Sequence, residues 1–504
     1  MALVTATATA VRLLLPVIWN EREAIGSAFY LGDARAFSAF ASAIVAGQPF
    51  DNGVPFHPSG WPFVLAAFYA VAGYDPTAGS PADPAAVKAF VALLSGLACG
   101  GAAVLARLVG GRCVLALIAP IAVFHFGHAV QGTVANTEAL YGLLLAGLLA
   151  VMVLARRHAW FDLPGPTAAG AAFAIGVVAG LTSVVRAEFL LGCVLIGIHV
   201  ARSGAAASRL LVLAAYAAGV AAALTPSTIA NWRSIDAFNT RNASRLTAPL
   251  PRLAPVTSYG AFSFALANHA EADGGPNSDH PLLVPTSAEE EALLDAGRLD
   301  LSVASVHRLY TDGYRIGVAW WLDHPADALQ LLQRKTRIAY GALALGYGPL
   351  DTPVGVDGMR RRVDVVEPDA TWLAPIHLGL LVFGWYLLHR RSPDMAWLFA
   401  IPVVTLLAST WLFYGYVRLV VAYLPVLWVL QAIALEALAA RAGCSRRLDT
   451  HGAAIAAGVV LLGMVGVLLS AASPRSAVLD GYRDDNGQVF VDETVRVTAQ
   501  RQGQ

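Results

Sequence analysis

The chain alternates long apolar runs with short polar breaks, and most of the runs have membrane length. Runs near 3 to 19, 88 to 106, 113 to 130, 138 to 155, 167 to 184, 187 to 201, 209 to 228, 372 to 389, 395 to 414, 417 to 440 and 453 to 472 stand out. Each can form a helix crossing roughly 30 Å of hydrocarbon. A further run at 61 to 73 is too short to add a full crossing. The pattern predicts an all-α polytopic membrane protein, a bundle of about 11–12 transmembrane helices with an extracytoplasmic loop domain.

Short loops rich in Lys and Arg are retained on the cytoplasmic side. They fall at Arg107/Arg112, Arg156/Arg157, Arg202/Arg209, Arg390/Arg391 and Arg441/Arg446/Arg447. Placing all five inside leaves residues 20–87, the turn at Asn136 to Glu138, Arg186, residues 229–371, the turn from Tyr414 to Arg418 and the C-terminal tail facing outward. The chain then divides into a membrane module (1–230), an extracytoplasmic loop with interfacial helices (231–371), a second membrane module (372–472) and a polar tail (473–504).

Within the long loop, "HAEADGGPNSDHPLLVPTSAEEEALLDAGRLDL" reads as loop followed by a short solvated helix. "WWLDHPADALQLLQRKTRIAYGALAL" has the spacing of a helix lying in the membrane interface. The tail segment "DGYRDDNGQVFVDETVRV" suits a small hairpin. At the other end, Arg12 interrupts the first apolar run and "NEREA" follows it in place of a small-residue cleavage site. This predicts a retained helix with Arg12 snorkelling to the headgroups.

Composition sharpens the picture. The chain is 57% hydrophobic and 13% charged, with a mean hydropathy of +0.59, which excludes a water-soluble domain. Net charge is zero, so nothing favours nucleic acid. Cys99, Cys113, Cys193 and Cys444 are scattered without zinc or disulfide spacing and read as small core residues. Only Lys88 and Lys335 stand among 34 basic residues. A chain rich in Ala and Arg with so little Lys points to a GC-rich bacterial genome, hence an inner membrane with an exterior or periplasmic active face.

Ionisable groups at a membrane edge are costly and call for a reason. Asp33 opens "DARAFSAFASAIVAG", where an acid serves either as a helix N-cap or as a reactive group. His57 precedes Pro58, which holds it extended as the chain re-enters the apolar layer. Glu138 opens "EALYGLLLAGLLAVMVLARR", Arg186 closes "GVVAGLTSVVR", and Glu188 lies close enough to pair with Arg186. His125 and His128 share a helix face without a third ligand, so they read as membrane-edge polar residues and no metal site is assigned. Trp61, Trp232, Trp320, Trp321, Tyr414 and Tyr416 fall at predicted interfaces, where anchoring explains most of them.

Taken in order, an acid opening a short helix and then His-Pro before a hydrophobic run resemble the first outer loop of the glycosyltransferase C superfamily. More narrowly they are similar to the protein O-mannosyltransferase and aminoarabinose-transferase type, grouped as glycosyltransferase family 39. "VANTEALYGLLLAGLLAVMVLARR", "GVVAGLTSVVRAEFLL", "TPSTIANWRSIDAFN", "LDHPADALQLLQRKTRIAYGA" and "YGYVRLVVAYLPVLWVL" resemble further segments of that family in the same order. The chain departs from it at Asp33-Ala34, where many members carry two acids, and at His57-Pro58-Ser59.

The resemblance implies transfer of a sugar from a polyprenyl-phosphate donor to an acceptor hydroxyl of a glycan, lipid or protein, with inversion. Asp33 is then the catalytic base, in the first outer loop, and Glu138 a second catalytic acid. His57, Arg186, Arg233, Lys335 and Arg418 would bind substrate. No cofactor is assigned; Asp33 and Glu138 could share a divalent cation if the reaction uses one. Two other readings stay open: a secondary transporter, whose site would lie at the membrane midplane, and a non-catalytic scaffold of the same fold.

Overall fold

The computed structural model describes residues 2–18, 33–48, 54–74, 83–111, 114, 122, 125–203, 208–244, 246, 248–275, 281–295, 301, 303–341, 343, 350–354, 360–363 and 374–442. The run at 453 to 472 and the tail hairpin lie outside them, as does most of the run at 113 to 130. Cys113 and Cys444 lie outside them too, whereas Cys99 and Cys193 are buried free thiols, as their apolar settings imply.

The architecture is helical throughout the membrane portion. In chain order the helices are α1 (Ala2–Ile18), α2 (Ala34–Val45), α3 (Gly60–Val71), α4 (Pro84–Val109), α5 (Phe126–Gln131), α6 (Glu138–Arg157), α7 (Gly165–Val185), α8 (Phe189–Ser203) and α9 (Arg209–Arg241). They continue with α10 (Gly260–Leu266), α11 (Ala288–Asp295), α12 (Ala304–Asp323), α13 (Pro325–Gly341), α14 (Ala374–Arg391), α15 (Pro393–Leu412) and α16 (Val417–Arg441). A short antiparallel hairpin pairs β1 (Leu350–Val354) with β2 (Arg360–Val363).

Six helices among the described residues, α4, α6, α7, α9, α15 and α16, are long and apolar enough to cross a membrane, which makes this a multi-pass membrane protein. Helices α1, α8 and α14 occupy further predicted runs but are shorter or more polar than those six. Helix α3 has 12 residues, about 18 Å at the α-helical rise, and falls short of a crossing as its sequence requires. The run that ends near residue 228 continues through Pro226 as a single helix to Arg241.

Helix α16 forms the centre of the bundle. Residues 420–434 are all buried, which is why its sequence is apolar on every face. Helix α9 lies at the periphery, with Leu210, Leu211, Ile229 and Trp232 exposed. It is held to α7 by glycines: a Cβ on Gly176 would come within 2.2 Å of the Tyr216 carbonyl oxygen, and one on Gly219 within 2.1 Å of that of Phe173. Only backbones without side chains approach so closely.

The two ends of the bundle differ in chemistry. At one end Arg156 at the close of α6 pairs with Asp394 at the start of α15, and the neighbouring Arg157 donates to the Leu108 carbonyl of α4. Arg202 lies over the Trp397 ring at 5.8 Å, and Arg391 sits 3.7 Å from Glu436. Four of the arginine clusters thus share that end. At the other end a second core of Val54, Ile235, Leu250, Phe262, Val306, Leu309 and Tyr310 caps the helices. The loop before α3 is fastened to it, with Ser258 N donating to the Pro55 carbonyl at 2.8 Å.

The segment read as one interfacial helix is two, broken between Asp323 and Pro325. Arg12 does not snorkel. It is fully buried and donates to Ser95 Oγ at 2.6 Å, the Ala8 carbonyl at 2.8 Å and Cys99 Sγ at 3.4 Å, with His128 Nδ1 at 2.7 Å. His125 and His128 are likewise buried inside the bundle against Trp428 and not at its edge.

Candidate active site

Asp33 occupies the N-cap position of α2, yet its side chain makes no capping hydrogen bond. Its carboxylate turns instead to residues far away in sequence. Oδ2 lies 3.3 Å from Arg418 Nη2 and Oδ1 lies 3.6 Å from His57 Nε2. Arg418 Nε donates to Glu138 Oε1 at 2.8 Å, and the same oxygen is 3.6 Å from Arg186 Nη1. Arg186 Nε completes the series by donating to Glu188 Oε1 at 2.5 Å. His57, Asp33, Arg418, Glu138, Arg186 and Glu188 therefore form one row in which basic and acidic groups alternate.

Helix ends bring these residues together. Glu138 is the first residue of α6, where the helix dipole favours a carboxylate. Arg186 directly follows α7, and Arg418 is the second residue of α16. Because α6 and α7 run in opposite directions, the start of one meets the close of the other. Gly60 at the start of α3 packs on the same spot, where a Cβ would lie 2.8 Å from the Val184 carbonyl carbon. The row thus sits at one end of the bundle, opposite the arginine clusters.

Exposure separates the two principal acids. The Asp33 side chain is 47% exposed and that of Glu138 only 2%. Desolvation alone would raise the Asp33 pKa, but the His57 ring and the Arg418 guanidinium outweigh it and hold the carboxyl well below the usual carboxylate range. Desolvation works against the Arg186 charge, and Glu188 with Glu138 more than restores it, leaving Arg186 above the ordinary arginine value. Asp33 can thus accept a hydrogen bond from an incoming molecule, whereas Glu138 is enclosed by its two arginines.

Aromatic rings line the row. Arg418 lies over Tyr416 at 5.2 Å and Arg186 over Tyr141 at 5.4 Å. Tyr141 donates from its hydroxyl to that of Tyr423 at 2.7 Å. The His57 ring packs against Phe37, Phe40 and Phe56 with centroids 4.7–5.3 Å away. Tyr141 and Tyr423 were not among the sequence candidates. The signal for Tyr141 is its place three residues after Glu138, on the same face of α6.

Two predicted residues lie apart. Arg233 is exposed on α9 and makes no ion pair with the row among the described residues. Lys335 on α13 is fully buried; its Nζ donates to Asn268 Oδ1 at 2.8 Å and to the Trp411 carbonyl at 3.1 Å. Burial pushes its pKa down to about 7. Trp61, expected at an interface, is buried and donates from Nε1 to the Ala135 carbonyl at 2.7 Å.

The acids do not make a divalent-cation site. Such an ion needs several oxygen ligands turned toward one point, and here Arg418 already lies between Asp33 and Glu138. Among the described residues no group of three or more His, Cys, Asp or Glu side chains is arranged to hold a metal ion.

No protein-family profile matches the sequence, and no curated protein matches it. Among solved structures, 93% of the chain aligns with the archaeal oligosaccharyltransferase AglB from Archaeoglobus fulgidus in complex with an inhibitory peptide and a dolichol-phosphate, at 11% identity and a TM-score of 0.48. The apo form of the Archaeoglobus fulgidus enzyme aligns over 93% of the chain, with 11% identity and a TM-score of 0.47. The form tethered to an acceptor peptide aligns over 93% as well, with 13% identity and a TM-score of 0.48. The chain spans 54–55% of the length of these structures.

Proposed function

We propose that the protein is an integral-membrane glycosyltransferase of the glycosyltransferase C superfamily, of the family 39 type. It transfers a sugar from a polyprenyl-phosphate donor to an acceptor hydroxyl outside the cytoplasmic face of a bacterial inner membrane. The observation that carries this reading is the contact of Arg418 with both Glu138 and Asp33, which lie 280 and 385 residues away in sequence. It brings segments from distant parts of the sequence together at one end of the bundle, and on this reading that end is where a lipid-borne donor and a water-borne acceptor meet. The arginine clusters at the opposite end support an outward-facing row. Residues at helix ends also fit an enzyme working at the interface better than a transporter site at the midplane.

The half-exposed Asp33 accepts a hydrogen bond from the acceptor hydroxyl. The hydroxyl oxygen attacks the anomeric carbon as the bond from that carbon to the phosphate oxygen breaks. The phosphate leaves with the electron pair, and configuration inverts. Asp33 is a weak base, so it takes the proton late, once bond formation has made the hydroxyl acidic. Positive charge developing on the sugar is stabilised by the same carboxylate. Arg418 and Arg186 offer guanidinium N–H donors to the leaving phosphate, and the enclosed Glu138 holds both in place. His57 positions Asp33 from the other side.

The test is transfer from a labelled panel of polyprenyl-phosphate sugars by purified protein, with Asp33→Asn as the control. Transfer by the wild type and not by the variant supports the reading. Solute movement across sealed liposomes without transfer by either protein overturns it in favour of a transporter.

A further inference from the structure

The buried Lys335 lies outside the alternating row and has no carboxylate among its bonding partners in the described residues. A charge placed this way is costly unless it does structural or chemical work. Its surroundings point to the former. Asn268, just beyond α10, is saturated: Nδ2 donates to the Phe264 carbonyl at 2.7 Å and to the Leu412 carbonyl at 2.8 Å. Its Oδ1 accepts from Trp321 Nε1 at 3.0 Å and from Lys335 Nζ at 2.8 Å. Trp411 and Leu412 end α15, so Lys335 and Asn268 together satisfy carbonyls that the end of a helix leaves open. Trp411 Nε1 adds a bond to Thr336 Oγ1 at 3.0 Å, next to Lys335 in sequence.

The turn that follows is seated on the same lysine. A Cβ on Gly415 would lie 2.1 Å from the Lys335 carbonyl oxygen, so this position admits only glycine. Gly415 N donates to the Gly274 carbonyl at 2.8 Å, and Gly274 has φ of +100° and packs against the Lys335 amide nitrogen. Three residues after Gly415 comes Arg418.

We infer that Lys335 is a positioning residue: through Asn268, Trp411 and Gly415 it holds the turn between α15 and α16, and so holds Arg418 between Asp33 and Glu138. It does not bind the donor phosphate. Only the activity arm of its test rests on the function proposed above. The bonds to Asn268 and Trp411 need two hydrogens on Nζ, which the neutral amine also has, so the role survives loss of the charge.

The experiment is a double-mutant cycle on the full chain in detergent, using Lys335→Met, Arg418→Gln and the double variant. If Lys335 positions Arg418, the thermal losses of the single variants overlap, and the double variant loses less than their sum by about 2 °C or more. Additive losses overturn the inference. In the transfer assay Lys335→Met should lower kcat by about a hundredfold with little change in donor KM, as misplacement of a catalytic group does. A raised donor KM with unchanged kcat overturns the inference and makes Lys335 a donor ligand. Gly415→Ala disturbs the same turn without touching Nζ and should show the same fall in kcat, which keeps the test decisive if Lys335→Met does not fold. If the wild type transfers no sugar, the functional proposal fails while the thermal cycle still decides the role of Lys335.

Discussion

Arg418 Nε donates to Glu138 Oε1 at 2.8 Å, joining the first residue of one membrane helix to the second residue of another across 280 positions of sequence. Both side chains are nearly closed off from solvent. The pair is therefore dear to break and is positioned with little freedom.

Glu138→Ala should destabilise the protein by about 3–5 kcal/mol, because it leaves two buried guanidinium groups facing each other without their shared acid. Thermal or denaturant unfolding in detergent measures this. A change near zero would mean that Arg186 and Arg418 reach other partners.

Asp33→Asn should behave differently. Its carboxylate is half-exposed, so the Arg418 contact contributes only about 0–1 kcal/mol. The same substitution should lower kcat by about 10²–10⁴ if Asp33 assists proton removal. Stability and activity measured on one preparation separate the two effects, and full activity in a folded variant removes Asp33 from catalysis.

The pH dependence of stability should carry the signature of Lys335. Its pKa of about 7 in the folded protein lies below the ordinary lysine value, so between the two the unfolded chain binds a proton that the folded chain does not. Stability then rises with pH above 7, by up to ~1.4 kcal/mol per unit. Lys335→Met should abolish that rise. Asp33 shifts stability in the same direction but in a different window: its folded pKa is depressed, so its pairing is fully present above the ordinary carboxylate range and is lost only as the pH falls into strong acid. The pH slope of stability from pH 8 to 10 should therefore differ between the wild type and Lys335→Met but not between the wild type and Asp33→Asn.

Chelation should leave transfer unchanged, since Arg418 lies where a bridging cation would have to sit. Activity with and without EDTA tests this, alongside manganese titration of the metal-free protein. Activity lost on chelation and restored by Mg²⁺ or Mn²⁺ would place a metal in the reaction.

Much of this arrangement could be read from the sequence, and the exceptions have physical causes. Membrane runs, the short α3, the solvated α11 and the pairing of Arg186 with Glu188 follow from local pattern and spacing. Asp33 reads two ways in sequence because an acid at a helix start suits a cap as well as a site; the absent capping bond and the distant Arg418 contact speak against the cap alone. The burial of Arg12 leaves no local trace because its partners Ser95, Cys99 and His128 come from helices far along the chain. Lys335 stands out in sequence by the rarity of lysine, but its partner Asn268 carries no local signal, so the bonds to the end of α15 have no trace in the sequence.

Arg418 stands near the start of α16, some 280 residues after Glu138 in the chain. During synthesis the ribosome releases Glu138 and Arg186 into the membrane long before their remaining counter-charge exists. Every earlier helix must wait, with the row incomplete, for this late one to thread into the centre. Closure of the charged row is therefore coupled to insertion of α16, and a nascent chain stalled ahead of it would hold Glu138 without Arg418.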